Sequence, residues 1–403
     1  MIVLAGGDLV LPDRIHPSAS LIVDDGLIAA IEPGRVGPAG ATVIDTTNCY
    51  VVPGFIDVHV HGVQGYDTLD GGDAISRMAA LLPQYGVTAF CPTSVACPPD
   101  VLRRFLDQVR RARVAGMPGT ARVLPAHLES NFINPEYRGA QPAACLRLPP
   151  GLDDVQQAYK SDPGEYSGVQ ILSAIAVSRA DVGIVTLAPE LPGGIDLIRS
   201  LVSAGHLISL GHSGADFETA IAAIEAGASH ATHLFNRMTP IAHRAPGLAG
   251  AVLAREEVTP ELICDGYHVH PAVCAVAIAA KGSRNVMAIT DGTGGSGQPI
   301  GSMATLGGRA IHVRDQAAFL DDGTLAGSTL TMDRAFRTIV TSFRRSLVDA
   351  AWMCSTTPAR QLGLSEWGRI EEGVTGDLVV LDRNLRVVRT FIEGEEVFTA
   401  SLI

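Results

Sequence analysis

Six side chains that can bind a metal ion or move a proton stand at the ends of short apolar segments in this chain. Imidazole nitrogens and carboxylate oxygens are ligands that zinc, iron, manganese and nickel accept in proteins. A single buried histidine is more often a hydrogen-bonded core residue than a ligand, but here the arrangement recurs at five separate segments. The candidate metal-site residues are His59, His61, Glu129, His212, His233 and Asp291.

His59 and His61 belong to the segment GFIDVHVHG and lie two residues apart. On an extended chain both side chains point to the same side of a strand, so both can reach one ion. Each of the other candidates follows its own apolar segment, although an aspartate before glycine, as at Asp291, is also typical of a turn. Those segments are VLPAHLES, ISLGHS, HATHLFN and MAITDGTGG.

Between residues 54 and 350 the sequence pattern predicts alternating strands and helices, which would position these residues. Longer amphipathic segments, for example 99–115, 195–204, 215–226 and 271–281, predict helices between apolar strands. Eight such units predict an α/β fold, a closed (β/α)8 TIM-like barrel, and barrel enzymes build their sites at the carboxyl ends of the strands. The predicted strands are Phe55–His59, Thr88–Pro92, Arg122–Leu128, Ile184–Leu187, Leu207–Leu210, Ala231–Leu234, Glu261–Cys264 and Val286–Ile289.

The two ends of the chain contain short apolar runs broken by turns. Asp24, Asp25 and Gly26 lie between two such runs, which is a hairpin pattern. We therefore expect residues 1–53 and 351–403 to come together as a small β-sandwich beside a metal-dependent barrel of residues 54–350. The polar segment from about residue 131 to 168 follows the third strand, and we interpret it as part of a substrate cover.

Composition excludes several classes of protein. The formal net charge is −12, so we expect no nucleic-acid partner. No apolar run approaches the roughly 20 residues that span a bilayer, and the first ten residues do not resemble a signal peptide, so we expect a cytoplasmic enzyme without a membrane partner. The seven cysteines are odd in number and form no CxxC pair, which disfavours a disulfide framework or a thiolate zinc site.

A set of motifs, in this order, resembles the N-acetylglucosamine-6-phosphate deacetylase family of the amidohydrolase superfamily. Single motifs are unspecific, but the ordered set covers nearly the whole chain and continues into the tail TTPARQLGL and GRIEEGVTGDLVVLD. The motifs are PGFIDVHVHG, HLESNFINP, TLAPE, GHSGAD, HATHLFNRM, HRAPGLAGA, DGYHV, TDGT and LAGSTLTMDRA.

The resemblance implies a metal-dependent hydrolase that removes the acetyl group from N-acetylglucosamine 6-phosphate. Asp291 matches the family's general base and acid. One or two divalent ions per subunit are implied, zinc first, with iron, manganese, nickel or cobalt as alternatives. The implied ligands are Glu129, His212 and His233 for one ion, and His59 with His61 for a second.

The resemblance also implies how a small amino sugar phosphate would bind. Asn236, the backbone N–H of Arg237, and His268 match the family's phosphate-binding residues. Arg244 matches an arginine that reaches into the site of a neighbouring subunit, which implies a homodimer. Taken singly, Arg244 is better explained as a surface charge, and His268 is equally well explained as a polar cap on strand 7.

Three positions depart from the family's pattern near the acyl end of the substrate. Ser130 and Asn131 replace glycine and proline, and Gln141 replaces a histidine that contacts substrate in relatives. Glutamine can donate a hydrogen bond but cannot titrate. Two alternatives therefore stay open: a deacetylase of another N-acyl amino sugar phosphate such as N-acetylgalactosamine 6-phosphate, and a metal-free amidohydrolase-like scaffold.

Lysine usage distinguishes this chain from other amidohydrolase barrels. Urease-like and dihydroorotase-like members bridge two metals with a carbamylated lysine at the end of strand 4. Here that strand ends in TLAPE, and the only two lysines, Lys160 and Lys281, lie elsewhere. Glu129 can take the bridging or ligating role instead. The HSGA segment at His212 also lacks the His-x-x-Glu pattern of adenosine-deaminase-like barrels.

Overall fold

The computed structural model describes residues 1–35, 37–150, 166–314 and 317–401. At its centre a parallel sheet curls into a nearly closed barrel of eight strands, which confirms the predicted (β/α)8 fold. The third strand is interrupted near Pro125, since proline has no N–H for a ladder hydrogen bond. In chain order the barrel strands are Phe55–Val60, Val87–Ser94, Arg122–Val123 with Ala126–Glu129, Val182–Leu187, Leu207–Leu210, His230–Ala231, Thr259–Ile263 and Met287–Ile289.

Hydrogen bonds between the first and last strands close the barrel. The Asp291 amide donates to the His59 carbonyl oxygen at 2.9 Å, and the His61 amide donates to the Gly292 carbonyl oxygen at 2.7 Å. A parallel bridge also pairs Val60 with Gly292. These bonds make His59 and Asp291 spatial neighbours although they lie far apart in sequence.

Strand 6 is shorter than the sequence predicted. The prediction was Ala231–Leu234, whereas the strand covers only His230–Ala231. The chain leaves the extended conformation early because His233 and Phe235 have φ angles of 32° and 76°. Residues other than glycine adopt such angles at a cost of about 1–3 kcal/mol. His233 is therefore presented from a turn rather than from a strand.

Helices connect the barrel strands. The predicted helices 99–115 and 271–281 have the predicted bounds, and 195–204 and 215–226 shift by one or two residues. Within the described ranges, no helix has both the length and the apolar character needed to cross a membrane. The helices are Ala74–Leu81, Pro99–Ala115, Gly168–Val177, Gly194–Ser203, Phe217–Glu225, Gly247–Ala254, Pro271–Lys281, Met332–Thr341, Leu347–Ala351, Trp352–Thr356 (a π-helix) and Thr357–Gln361.

Both ends of the chain build a separate sheet-rich domain, as the sequence predicted. The strand Tyr50–Pro53 pairs antiparallel with Leu378–Leu381, so the N-terminal and C-terminal parts share one sheet. The predicted hairpin at residues 24–26 is confirmed, since it joins two antiparallel strands. The strands of this sheet are Ile2–Val10, Ile15–Asp24, Leu27–Pro33, Thr42–Asp45, Tyr50–Pro53, Leu378–Leu381, Val387–Ile392 and Glu395–Thr399.

A four-stranded antiparallel sheet between residues 303 and 328 was not predicted. Its strands have three to six residues each, and such short segments give little periodic signal. A small apolar cluster, which includes Leu306, Ile311 and Val95, packs it beside the end of barrel strand 2. The strands are Met303–Leu306, Arg309–Arg314, Ala317–Phe319 and Leu325–Ser328.

Arg122 links the third barrel strand to the terminal sheet. Its guanidinium donates to both carboxylate oxygens of Asp377, including an Nη2–Oδ1 contact of 3.1 Å, and lies 4.5 Å from the centre of the Trp367 ring. It also pairs with Glu393 at 2.9 Å. The Asp377 side chain is only 4% exposed, so loss of the arginine would leave a buried carboxylate without its nearest counter-charge.

We expect Arg122→Met to destabilise the protein by about 3 kcal/mol, as when one partner of a buried ion pair is removed. The measurement is the midpoint of urea unfolding. Arg104→Met is the matched control, because Arg104 and Asp100 pair on an exposed helix face, where an ion pair contributes about 0.5 kcal/mol or less. Equal midpoints for the two variants would contradict this role of Arg122.

Candidate metal centre and active site

The candidate ligands converge on a pocket at the carboxyl end of the barrel. Residues 139–141 of the predicted substrate cover reach it, whereas 151–165 of that segment lie outside the described residues. A larger cavity, about 1100 Å³, lies at the amino ends of the strands, where barrel enzymes do not place their chemistry. The pocket is lined by His61, Glu129, Gly139, Ala140, Gln141, His212, His233, Asn236, Arg237, Ile263, His268, Asp291, Leu306, Leu325 and Gly327.

Glu129 is the centre of a first cluster of ligand atoms. Its Oε1 lies 2.8 Å from His212 Nε2 and 2.9 Å from His233 Nε2, and the two nitrogens are 3.1 Å apart. All three side chains are buried. A tetrahedral zinc ion with ligand distances of about 2.1 Å separates its ligand atoms by roughly 3.4 Å. The three atoms are therefore already spaced nearly as the corners of a coordination sphere.

A second cluster joins the first through Glu129. The Nε2 atoms of His59 and His61 are 3.2 Å apart, and Asp291 Oδ1 lies 3.4 Å and 3.3 Å from them. Glu129 Oε2 lies 3.6 Å from His61 Nε2. Because Glu129 contacts both clusters, it would belong to the ligand set of an ion in either one.

The opposite ring nitrogens of three histidines bind acceptors that fix their tautomers. A carbonyl oxygen can only accept, so Nδ1 of His61 and of His212 carries a hydrogen, and Glu261 selects the same tautomer of His59 when its carboxylate is ionised. In each neutral ring Nε2 then keeps its lone pair for the pocket. The acceptors are Thr93 O for His61 (3.2 Å), Tyr137 O for His212 (2.8 Å) and Glu261 Oε2 for His59 (2.9 Å).

Electron pairs therefore face one another across this pocket. The lone pairs of His59 and His61 meet at 3.2 Å, next to the carboxylates of Glu129 and Asp291. A positive charge among these acceptors, either a metal ion or a proton on an imidazole, stabilises the arrangement. The residues present thus fit a divalent metal ion, and a set of nitrogen and oxygen donors without thiolates suits zinc, iron, manganese, nickel or cobalt.

The electrostatics of the pocket keep its acids ionised. Burial alone would raise the pKa of Glu129, but in the metal-free pocket the positive charge of His212 and the hydrogen bonds that His212 and His233 donate through Nε2 hold it well below its ordinary value. Burial also acts to raise the pKa of Asp291, but His59 and His61 lower it. Burial lowers the pKa of His59 to about 3, so this ring stays neutral and able to bind a metal.

Strained backbone positions present the ligands at the strand ends. His212, His233 and Asp291 have φ angles of 49°, 32° and 49°, in the left-handed region that favours glycine. Gly62 is required for a different reason, since a Cβ there would lie 2.3 Å from the Tyr66 carbonyl oxygen. The chain therefore turns sharply directly after each ligand, which leaves the side chain in the pocket.

Gln141 lies against Glu129. Its Oε1 accepts a hydrogen bond from the Ala96 amide at 2.7 Å, which fixes the orientation of the side-chain amide. Its Nε2 then donates to Glu129 Oε2, and the residue is buried. One amide hydrogen of Gln141 is left for a further acceptor in the pocket. Gln141 therefore orients the candidate metal ligand as well as lining the site.

Ser130 and Asn131, the two other departures from the family pattern, have structural partners. The Ser130 hydroxyl donates to the Thr186 carbonyl oxygen at 2.6 Å. The Asn131 side chain donates to the carbonyl oxygens of Cys97 and Cys145, at 2.9 Å and 2.6 Å. These bonds fasten the start of the loop that follows strand 3, without placing either side chain in the pocket.

The residues predicted to bind phosphate divide into two groups. Asn236, Arg237 and His268 line the pocket, whereas Arg244 lies outside it in an exposed turn. His268 Nδ1 bonds Asp265 Oδ2 at 2.6 Å, while its Nε2 is buried and has no partner among the described residues. That nitrogen is therefore available to a ligand.

Sequence reasoning missed two buried carboxylates behind the histidines. Glu261 accepts the hydrogen bond from His59 Nδ1. Asp57 accepts from the Thr290 hydroxyl at 2.5 Å and from the His59 amide at 3.3 Å. Burial raises the pKa of both acids to about 7. The available signal was an acid within an otherwise apolar strand, since a buried carboxylate requires a partner.

The chain matches known proteins along nearly its whole length. The model of the amidohydrolase family matches residues 50–397. The N-acetylglucosamine-6-phosphate deacetylase of Bacillus subtilis (strain 168) is 34% identical over 395 residues, 97% of this chain and 95% of that protein. The N-acetylgalactosamine-6-phosphate deacetylase of Escherichia coli O157:H7 is 34% identical over 377 residues, 93% of each protein.

A solved structure agrees with these sequence matches. A mutant N-acetyl-D-glucosamine-6-phosphate deacetylase from Mycobacterium smegmatis, solved in complex with N-acetyl-D-glucosamine-6-phosphate, is similar with a TM-score of 0.86 at 31% identity. The match covers 99% of both chains. The chain therefore belongs to the amidohydrolase family and, within it, to the N-acetylglucosamine-6-phosphate deacetylases.

Proposed function

We propose that this protein hydrolyses N-acetylglucosamine 6-phosphate to glucosamine 6-phosphate and acetate. The observation that carries the proposal is the convergence of Glu129, His212, His233 and Asp291 on one pocket, with ligand atoms close enough together to hold a metal ion. Family membership supports this reaction, because the matched relatives are named as deacetylases of amino sugar phosphates. N-acetylgalactosamine 6-phosphate is the second candidate, because one of the matched relatives is named for that substrate.

The donor set supports one or two divalent metal ions per chain, with zinc as our first choice. Glu129, His212 and His233 would hold the first ion, and His59 with His61 the second. Such an ion, when bound, polarises the acetamide carbonyl and lowers the pKa of a bound water toward about 7.

Asp291 would move the proton. Its carboxylate is ionised, and it would accept a proton from the attacking water and then deliver it to the departing amine nitrogen. Its backbone is held on both sides, since its amide donates to His59 O and its carbonyl oxygen accepts from the Ser328 amide at 2.7 Å. The carboxylate therefore keeps its position while the proton moves.

The activity test compares acetate release from N-acetylglucosamine 6-phosphate, N-acetylgalactosamine 6-phosphate and unphosphorylated N-acetylglucosamine. We expect the highest kcat/KM for the first sugar, and a far lower value without the phosphate. A higher value for the galacto sugar would assign the second candidate function. If metal-loaded protein releases no acetate from any of the three, the proposal is wrong.

Glu261 should affect the second metal site selectively. Its carboxylate accepts from His59 Nδ1 and keeps that ring oriented, and loss of such a partner typically lowers metal affinity about 10–100-fold. We expect Glu261→Gln to bind the first equivalent of zinc normally and the second about 10–100-fold more weakly. Calorimetric titration of metal-free protein measures both. An unchanged second affinity would contradict this role.

We also propose a homodimer in which Arg244 reaches the partner's pocket. Exposed apolar side chains on the segments that follow strands 6 and 7 support an interface on this side of the barrel, because their burial would remove apolar surface from water. These are Ile241, Tyr267, Val273 and Val276, which are 51%, 49%, 40% and 61% exposed.

Mixing two inactive variants tests the shared site. Arg244→Ala should lose most of its activity because each pocket lacks the arginine. Asp291→Asn should lose most of its activity because each pocket lacks the base. In a mixed dimer, one pocket combines an intact Asp291 with the intact Arg244 of the other chain. We expect activity to return when the variants are unfolded and refolded together. No recovery, with mixed dimers shown by mass spectrometry, would place Arg244 outside the neighbouring site.

A further inference from the structure

We propose that the Arg237 side chain, and not only its backbone amide, binds the 6-phosphate of the substrate within its own subunit. The inference rests on the proposed function and adds a specificity-determining residue to it. Arg237 lines the same pocket as Asn236 and His268. The ligand chemistry it would select is a phosphate monoester at the outer end of the sugar.

The Arg237 guanidinium has no counter-charge in the described part of the chain. It forms neither an ion pair nor a hydrogen bond there. Other arginines, such as Arg104 and Arg199, pair with an acid on their own helix. In a chain of net charge −12, an unpaired arginine at a pocket favours an anionic ligand.

Gly139 fixes the course of the arginine side chain. A Cβ at Gly139 would lie 2.7 Å from Arg237 Nε and 3.2 Å from its Cδ and Cγ, so the side chain lies directly on this glycine. Gly139 and Ala140 also line the pocket. The guanidinium therefore follows the pocket wall, although the residue as a whole is exposed.

The backbone of Arg237 is tied to the metal centre. Its φ angle is 52°, and its carbonyl oxygen accepts from the Ser213 amide at 3.0 Å, one residue after His212. His268 lines the same pocket, and its buried Nε2 has no hydrogen-bond partner among the described residues. A guanidinium donates two parallel hydrogen bonds to phosphate oxygens, which a lysine ammonium cannot reproduce.

Steady-state kinetics with N-acetylglucosamine 6-phosphate tests the inference. We expect Arg237→Gln to raise KM roughly tenfold at unchanged kcat, because charge-assisted binding common to ground and transition states is lost. Arg237→Lys should recover only part of the loss. Arg138→Gln is the matched control, because Arg138 is also exposed, on the neighbouring loop, but does not line the pocket. Its KM should equal that of the wild type.

Calorimetric binding of glucosamine 6-phosphate and of glucosamine gives a readout that needs no turnover. Arg237→Gln should weaken the binding of glucosamine 6-phosphate by a similar factor and leave the binding of glucosamine unchanged. If the wild type is active but Arg237→Gln and Arg138→Gln share its KM, the inference is wrong and the proposed function stands. If the wild type is inactive, the proposed function fails. If the wild type then binds glucosamine 6-phosphate and glucosamine equally, the inference is overturned too. If Arg237→Gln loses affinity for glucosamine 6-phosphate alone, the inference is supported.

Discussion

Replacing Asp291 with asparagine should lower kcat for N-acetylglucosamine 6-phosphate by about 10³–10⁴-fold, the upper part of the range for general acid–base catalysis. The loss is large because one carboxylate serves both proton transfers. Asparagine has nearly the same shape but cannot accept a proton from water. Metal content and the thermal midpoint should stay close to those of the wild type, since the other ligand atoms remain in place.

The control for this variant is a partly buried aspartate outside the pocket. Asp333 accepts from the Thr331 hydroxyl at 2.6 Å and its side chain is 19% exposed, so Asp333→Asn removes a partly buried carboxylate without touching the site. We expect its kcat to remain within about twofold of the wild type. If Asp291→Asn retained a tenth of the wild-type kcat with full metal content, another group would have to be the base.

Removal of the metal should abolish turnover and lower the thermal midpoint. Without a cation, the carboxylates of Glu129 and Asp291 face histidine lone pairs at 3.3–3.6 Å. A ligand present at 1,000 times its Kd stabilises the folded state by about 4 kcal/mol. Dialysis against a chelator should therefore lower both activity and midpoint, and added zinc should restore both.

Glu129→Gln separates metal loss from other effects of the chelator. The variant loses the carboxylate shared by both clusters, so we expect less than a tenth of the wild-type metal content and no measurable acetate release. Its thermal midpoint should not respond to chelator or zinc. Full activity of the wild type after complete metal removal would overturn the metal-dependent mechanism.

Much of the site was predictable because barrel geometry brings strand ends together. Once Glu129, His212 and Asp291 were seen at the ends of separate apolar segments, the rule that barrel sites lie at the carboxyl ends of strands predicted their convergence. The two-residue spacing of His59 and His61 likewise predicted a shared direction. Neither argument needs knowledge of packing, which is why both could be made from sequence.

Other features depend on contacts between distant segments and left no local signal. Glu261 meets His59 only because strands 7 and 1 face the same barrel interior. The four-stranded sheet of residues 303–328 consists of short strands that are stabilised by packing beside strand 2. The early end of strand 6 follows from positive φ angles at His233 and Phe235, which tertiary contacts impose against local preference.

The shared terminal sheet has a consequence for synthesis of the chain. Pro53 leaves the ribosome long before its partner Leu378, which follows roughly 325 residues later. At 5–20 residues per second the delay is roughly 16–65 s, during which the barrel segment can fold while the strand Tyr50–Pro53 keeps an unpaired edge. Translation that stops before residue 378 would leave this edge open to aggregation, so release of the last segment completes the fold.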